Sequence, residues 1–393
     1  METSTRNATL QDLASMLQDQ QGRKLDVVAS ATAIRSEGGL LVVEGSEPEI
    51  TEEGVTQSDG RYRPTDVCDG GISAKLGIPV QYLKRMRADA PDLYDANVNG
   101  WLHGRYWPAT PDPDSELIAD RPADHRKFLL RCFRGDDGGE GIARAFMSDS
   151  YKIIDNLDAL TAALDGVKQA GVPIEIDGCD LTDRRMYVRV TCEQVRALAP
   201  VLLEGYRSPY GGGTGTENPV VFGGFVISNS EVGQGGFTVT PRLVVQVCRN
   251  GMTMTRDALS QYHIGSKMEE GVIRWSEDTR QKNLELVTAQ ARDAVAAFLD
   301  TGYIEAKIRE LEGKAGAAVR EPEKVVQEVA KQLAFSEEQT NSVLAHFIQG
   351  GQLTAGGVMQ AVTAAAQGHE DADAAFDMEA AGLRAMEVAA SLS

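Results

Sequence analysis

The sequence has little of what metal centres, disulfide frameworks and membrane spans require. Its five cysteines form no Cys-x-x-Cys pair, and its five histidines lack the spacing typical of metal ligands. No apolar run approaches the ~18–20 residues needed to cross a bilayer. We therefore expect no structural metal site, no membrane span and no bound cofactor.

Basic residues are also in short supply. The 393 residues include 39 Lys and Arg against 58 Asp and Glu, a net charge of −19. Such a charge argues against a protein that coats nucleic acid with its whole surface. Residues 1–60 carry 11 acids and 4 bases and residues 303–393 carry 14 and 7, which leaves about −5 for the middle of the chain. The middle of the chain is nearly balanced in charge, so local basic patches remain possible there.

The first residues, METSTRNATLQDLASM, show no basic segment followed by an apolar one. That pattern would indicate a secretion signal. An odd number of scattered cysteines without such a signal is typical of reduced thiols. These features predict a cytoplasmic protein.

Apolar periodicity divides the chain into a mixed core and a helical tail. Alternating side chains predict strands at Lys127–Phe133 and Met186–Cys192, and the latter is followed by a predicted short helix at Val195–Leu203. A β-meander of tight hairpins follows between residues 220 and 252. We predict an α+β domain over residues 1–302, with a mostly antiparallel sheet packed by helices and a junction loop near residues 107–125. An all-helical domain over residues 303–393 completes the chain, and its alanine-rich faces predict close helix packing or self-association.

Three segments carry a resemblance to a known family. They are ARAFMSDSYKIIDN (143–156), GGFVISNSEVGQGGFTVTPRLVVQVCRNGM (223–252) and YHIGSKMEEGVIRWSEDT (262–279). Together they resemble the phage/plasmid-like proteins that carry a domain of unknown function and occur in prophages, phages and conjugative plasmids. The resemblance implies an accessory protein of a mobile element, acting near replication, recombination or counter-defence in the host cytoplasm.

Arginines near aromatic side chains on the predicted strands suggest a nucleic-acid surface. Outward cations can follow phosphates while outward rings stack on the bases of a single strand. The alternative is that these arginines pair with the abundant acids on a solvated face. The candidate residues are Arg126, Lys127, Arg131, Phe133, Arg184, Arg185, Tyr187, Arg189, Arg242 and Arg249.

The meander carries a second set of candidates at its turns. Asn229, Ser230, Glu231, Asn250 and Gly251 form either a polar rim that contacts a ligand or ordinary turn chemistry, since Asn-Gly favours hairpin turns.

The same region also suggests another hypothesis, a catalytic pair of nucleophile and base. Cys248 could act with His263, which lies just before Gly265, if the two side chains meet. A cysteine at a strand end is otherwise a small core residue.

Three hypotheses follow. The first is a non-enzymatic protein that binds single-stranded DNA in recombination or annealing and self-associates through its tail. The second is an acidic counter-defence or regulatory factor that binds a host or phage protein. The third is a thiol-dependent enzyme.

Overall fold

The computed structural model describes residues 3–45, 49–51, 54–56, 59–108, 117–151, 153–209, 213–249, 251–261 and 277–392. The helices are α1 (Leu10–Arg23), α2 (Asp66–Leu76), α3 (Val80–Asp89), α4 (Pro91–Leu102), α5 (Asn156–Ala170), α6 (Glu277–Phe298), α7 (Thr301–Ala315), α8 (Pro322–Leu333), α9 (Glu337–Gly350), α10 (Ala355–Gln367) and α11 (Ala372–Ser391). No helix in these ranges is both long and apolar enough to cross a membrane.

The strands are β1 (Thr5–Ala8), β2 (Lys24–Ser30), β3 (Ile34–Glu37), β4 (Leu40–Val43), β5 (Glu49–Thr51), β6 (Gly54–Thr56), β7 (Gly60–Pro64), β8 (Arg105–Pro108), β9 (Leu117–Arg121), β10 (Lys127–Phe133), β11 (Gly141–Ser148), β12 (Glu175–Leu181), β13 (Met186–Leu198), β14 (Val220–Asn229), β15 (Phe237–Val245), β16 (Gly251–Thr253) and β17 (Leu259–Gln261). The chain therefore has the predicted α+β class.

The larger sheet of the described residues is the predicted meander, extended on both sides. Its strand order is β1-β12-β13-β14-β15-β16, β17 also pairs with β15, and all its pairs are antiparallel. The alternation in β13 places Val188 and Val190 on one face, where they join an apolar core with α5 and α6. The opposite face carries Tyr187, Arg189 and Thr191.

The smaller main sheet has the strand order β2-β10-β11-β7-β4-β3, with one parallel pair between β11 and β7. Leu130 and Cys132 of β10 lie on the face that packs against α2, α3 and α4 in a separate apolar core. Leu129 lies on the other face, in a small third cluster with Met147 and with Val232 from the β14–β15 hairpin. The hairpin of the larger sheet therefore packs against the smaller sheet.

The C-terminal helices share the core of the larger sheet. One apolar cluster runs from Leu13 and Leu17 of α1 through the sheet to Phe347 of α9 and Met386 of α11. The buried core thus continues across the predicted boundary at residue 302. The alanine-rich faces of α10 and α11 pack against each other, and every residue from Ala355 to Ala366 is buried.

Local signals located most elements well. Thr9 caps α1, Pro322 opens α8, and Ser336 forms a capping box at the start of α9 with Gln339. The predicted helix at Val195–Leu203 is wrong, because β13 continues to Leu198 after an irregular register between Cys192 and Arg196. Part of the predicted loop at 107–125 instead forms the β8–β9 pair.

Candidate nucleic-acid interface

The alternation predicted for β10 is correct, but neither face of this strand is exposed. Arg131 and Phe133 occupy the face opposite Leu130, as expected, and yet the exposed fractions of their side chains are 0% and 2%. The hairpin between β14 and β15 and the start of α5 cover Arg131, and the Arg144 guanidinium lies 4.2 Å from the centre of the Phe133 ring. The prediction that Arg131 and Phe133 form part of an exposed binding face is therefore wrong.

Arg131 is the centre of a buried ion-pair network at the contact between the two sheets. Its Nε lies 2.8 Å from Asp26 Oδ1, its Nη2 lies 2.6 Å from Asp155 Oδ1, and its Nη1 donates to the carbonyl oxygen of Glu231 at 2.8 Å. We call the whole network the junction cluster. It contains three cations and three carboxylates: Lys24, Arg131, Arg144, Asp26, Asp155 and Glu231. Its formal charge is zero.

The pKa values in the junction cluster follow from this mutual pairing. Burial by itself lowers the pKa of Arg131, but the charges of Asp26, Asp155 and Glu231 outweigh it and raise that pKa. Burial raises the pKa of Asp155, and Arg131 with Lys24 overcomes this and holds it below its usual range. Arg131 and Asp155 are therefore both charged near neutral pH, and each cation of the cluster is paired with a carboxylate.

Asn229, Ser230 and Glu231 form part of this junction and not an exposed rim. All three are buried. Asn229 Nδ2 donates to the carbonyl oxygen of Ile154 at 3.0 Å, and Glu231 Oε1 lies 2.5 Å from Arg144 Nη2. The polar-rim prediction is wrong for these three residues, because the hairpin that carries them is inserted between the sheets.

The second predicted strand, β13, contributes side chains to a polar face of the larger sheet. This face is also covered. One row runs across four strands through Thr191, Gly224, Arg242 and Thr253. Neighbouring rows carry Tyr187 with Ser228 and Thr238, and Arg189 with Val226 and Thr240. Helix α11 lies over part of this face: the Phe376 ring is 4.7 Å from the Tyr187 ring, and Asp373 Oδ1 accepts a 2.7 Å hydrogen bond from Tyr187 Oη.

The arginines of this face form a second neutral network. Arg242 Nε lies 2.7 Å from Glu379 Oε1 of α11, and its Nη1 lies 3.1 Å from Asp177 Oδ2. Arg189 and Arg6 both pair with Asp180. We call this set the sheet-face cluster: Arg6, Asp177, Asp180, Arg189, Arg242 and Glu379. The prediction that Tyr187, Arg189 and Arg242 are exposed is wrong, because α11 and the N-terminal segment bind their polar atoms.

Electrostatic shifts match these contacts. Burial lowers the pKa of Arg189, but the neighbouring Asp180 more than compensates and raises it. Burial raises the pKa of Asp180, and Arg189 then lowers it below the ordinary value. Burial and the Asp373 carboxylate both raise the pKa of Tyr187, so its hydroxyl stays protonated and donates.

Gly251 is explained by the same network. A Cβ at this position would lie 1.9 Å from Nε of Arg242, so the guanidinium crosses β16 where no side chain is present. Gly251, the first residue of β16, is therefore required because the Arg242 guanidinium leaves no room for a side chain. Its predicted turn partner Asn250 lies outside the described residues.

The other predicted cations are spread over the surface. Arg126 pairs with Asp124 at 2.6 Å, Arg249 pairs with Glu193 at 2.9 Å, and Arg185 Nε donates to the carbonyl oxygen of Gln234 at 2.6 Å. Lys127 and Arg184 are exposed, and the charge of Arg184 acts on the carboxylates of Asp66 and Asp377. The ten candidates therefore do not form one electropositive surface.

The proposed nucleophile pair lies partly outside the described residues. Cys248 is buried in the large apolar core, with an exposed fraction of 6%. His263 and Gly265 are both among the residues that the structure leaves undescribed. The burial of Cys248 favours a packing role for this thiol.

The pocket beside the junction cluster, lined by Gln20, Lys24 and Arg144, has a volume of about 10 Å³. That volume holds about one water molecule. The ranges described contain no group of three His, Cys, Asp or Glu side chains placed to hold a metal ion.

The carboxylates that neutralise the arginines were missed at the sequence level. Asp26 lies directly opposite Arg131 in the β2–β10 register, although 105 positions separate the two residues. A polar Asp between Leu25 and Val27 in an apolar strand was the available signal. Glu379 had no comparable signal, because the alanine-rich tail predicted helix packing without indicating which sheet face its charged residues would meet.

No protein-family model, no curated protein and no solved structure matches this chain.

Proposed function

We propose that this chain is a non-enzymatic binding protein whose acidic surface engages a basic protein partner, as a regulatory or counter-defence factor of a mobile element would. The observation that carries this proposal is the neutrality of both buried clusters. Because each contains three cations and three carboxylates, the whole net charge of −19 belongs to the rest of the chain.

For the described residues, this charge lies outside the buried core. Among the described charged residues outside the two clusters, only Asp69 is buried, and it is paired with Arg87 at 2.7 Å. A strongly negative surface accelerates association with positively charged partners and repels polyanions. The family resemblance of the segment 223–252 agrees with a phage or plasmid accessory role, and self-association of the chain remains a prediction.

The test is capture of a partner from nuclease-treated host lysate on the immobilised full chain. We expect a basic protein that is retained at ~50 mM salt and released by ~0.3 M salt, since the Debye length shortens over this range. The control is an unrelated protein of similar length and net charge. Identical capture by both proteins would contradict the proposal.

A second candidate function is single-strand binding by the polar face of the larger sheet. The specific observation in its favour is the chemistry of the cover: α11 places a ring on Tyr187 and a carboxylate on Arg242. A base and a phosphate would occupy those positions with similar contacts. In the described conformation α11 occupies this face, so binding would require α11 to leave it.

A further inference from the structure

We infer that α11 is an internal competitor for a single-stranded polynucleotide site on the polar face of the larger sheet. This inference rests on the second candidate function and is independent of the acidic partner surface. The site consists of Tyr187, Arg189, Thr191, Ser228, Thr240 and Arg242.

The first argument is the composition of the face. The reverse side of the same strands carries Val188, Phe225 and Leu243, and it packs in an apolar core as a permanently buried side does. The face under α11 instead carries hydroxyls, arginines and a tyrosine. Buried polar groups need hydrogen-bond or charge partners. A polar face of this kind is therefore suited to exchanging one polar partner for another.

The second argument is what α11 offers to the face. Phe376 stacks on Tyr187 with its ring centroid 4.7 Å away and its plane tilted by 30°. Glu379 approaches Arg242 with two oxygens, at 2.7 and 3.3 Å. A ring and a two-oxygen anion three residues apart reproduce the two chemical features of a nucleotide that proteins recognise without sequence preference.

The third argument is that the sheet and α10 hold different sides of α11. The small residues of α11 pack chiefly against α10, where Gly382 lies close to Thr363. Hydrogen bonds, ion pairs and the Phe376 ring provide the contacts with the polar face. Movement of residues 372–379 away from the sheet would therefore mainly exchange polar contacts, which a polyanion could replace, while Met386 and Ala389 would stay in the apolar core.

The fourth argument is charge. With Glu379 in place the sheet-face cluster is neutral, with three arginines against three carboxylates. Without Glu379, Arg6, Arg189 and Arg242 face only Asp177 and Asp180. The uncovered face thus has one uncompensated positive charge, because Arg242 keeps Asp177 while Arg6 and Arg189 share Asp180.

The experiment measures binding of a fluorescently labelled 20-nucleotide oligo(dT) by anisotropy at ~50 mM salt. The variants are Glu379→Gln, which removes the competing charge at constant size, and Phe376→Leu, which removes the ring. Each should bind at least ~10-fold more tightly than the wild type, because the fraction of molecules with an open face rises. Thermal melting monitored by circular dichroism verifies that each variant is folded.

The matched control is Glu370→Gln, which changes the net charge equally at an exposed position before α11. It should bind within about two-fold of the wild type, because an exposed charge away from the face does not alter the open fraction. Adding Tyr187→Leu to Glu379→Gln should weaken binding by about 5–150-fold, the range expected for loss of one base stack.

The outcomes separate the two ideas. Equal binding by the wild type and both α11 variants would overturn the competitor role and leave single-strand binding standing. No binding by any protein would overturn both, without affecting the acidic partner proposal. A gain by Glu370→Gln as large as that of Glu379→Gln would also overturn the inference, since it would show a general charge effect.

Discussion

The junction cluster and the sheet-face cluster contain the same numbers of cations and carboxylates, but different parts of the fold supply them. Every member of the junction cluster comes from a strand, a hairpin or a helix start located between the two sheets. The sheet-face cluster takes one carboxylate, Glu379, from the last helix. The first cluster therefore fixes how the two sheets pack, while the neutrality of the second depends on one peripheral helix. In both clusters, arginines on strands with alternating side chains contribute to packing.

The sharpest test of this difference is Arg131→Met. The substitution keeps an apolar stem and leaves Asp26, Asp155 and Glu231 without their shared cation. We expect a loss of about 3–5 kcal/mol in the free energy of unfolding, as for other broken buried pairs. Urea denaturation measures it.

The control for that variant is Arg85→Met, whose side chain is 84% exposed. Its effect should stay within about 0.5 kcal/mol. A cost for Arg131→Met no larger than that of Arg85→Met would contradict a structural junction cluster.

Acid should weaken the junction through Asp155. Its pKa is lower in the folded chain than the unfolded value of about 3.9, so its contribution is present above about pH 4 and is lost as pH falls through the folded pKa. We expect wild-type stability to fall by about 1–3 kcal/mol from this group once pH is well below 4. Urea midpoints between pH 7 and pH 2 measure the change.

Asp155→Asn should remove this part of the acid sensitivity, although the variant is less stable at pH 7. The comparison therefore uses the slope of stability against pH and not its value at one pH. A slope below pH 4 equal to that of the wild type would show that other carboxylates carry the effect.

Gly251→Ala tests the packing beneath the sheet-face cluster. The new methyl group would meet the Arg242 guanidinium, and we expect about 1–3 kcal/mol of destabilisation, typical of overpacking. Chemical denaturation provides the measurement. Gly313→Ala in α7 is the matched control: no atom lies within 4 Å of its added methyl group, and alanine favours helices, so this change should stabilise. Equal effects of the two changes would contradict the contact.

Glu379→Gln should have the smallest effect on stability. Arg242 keeps its pairing with Asp177, and glutamine still offers one oxygen to the guanidinium. We expect a cost of about 1 kcal/mol, measured by the same urea titration. A cost as large as that of Arg131→Met would mean that α11 is as integral to the fold as the junction, which would remove the distinction between the two clusters.

Local chemistry made most of the secondary structure predictable. Strand alternation located β10 and most of β13, and the predicted meander corresponds to β14, β15 and β16. The α+β class followed from these elements. The short helix predicted at Val195–Leu203 failed because pairing with β14 extends β13 beyond its local preference.

The candidate site was less predictable, since side-chain alternation assigns a residue to a face without telling what covers that face. Arg131 was placed on the correct side of β10, but the hairpin that covers it lies about one hundred positions later in the chain. Tyr187 was likewise placed correctly, and its cover at Phe376 lies still further away. Only tertiary contacts bring these covers into place.

The central claim is that Arg131 of β10, Arg189 of β13 and Arg242 of β15 are enclosed, so the surface that partners meet is acidic. The most direct measurement is the rate at which phenylglyoxal modifies each arginine of the native protein, followed by peptide mass spectrometry. We predict that Arg131, Arg189 and Arg242, with side chains 0%, 15% and 5% exposed, react far more slowly than Arg85 at 84%. Modification of Arg189 and Arg242 as fast as that of Arg85 would contradict the account.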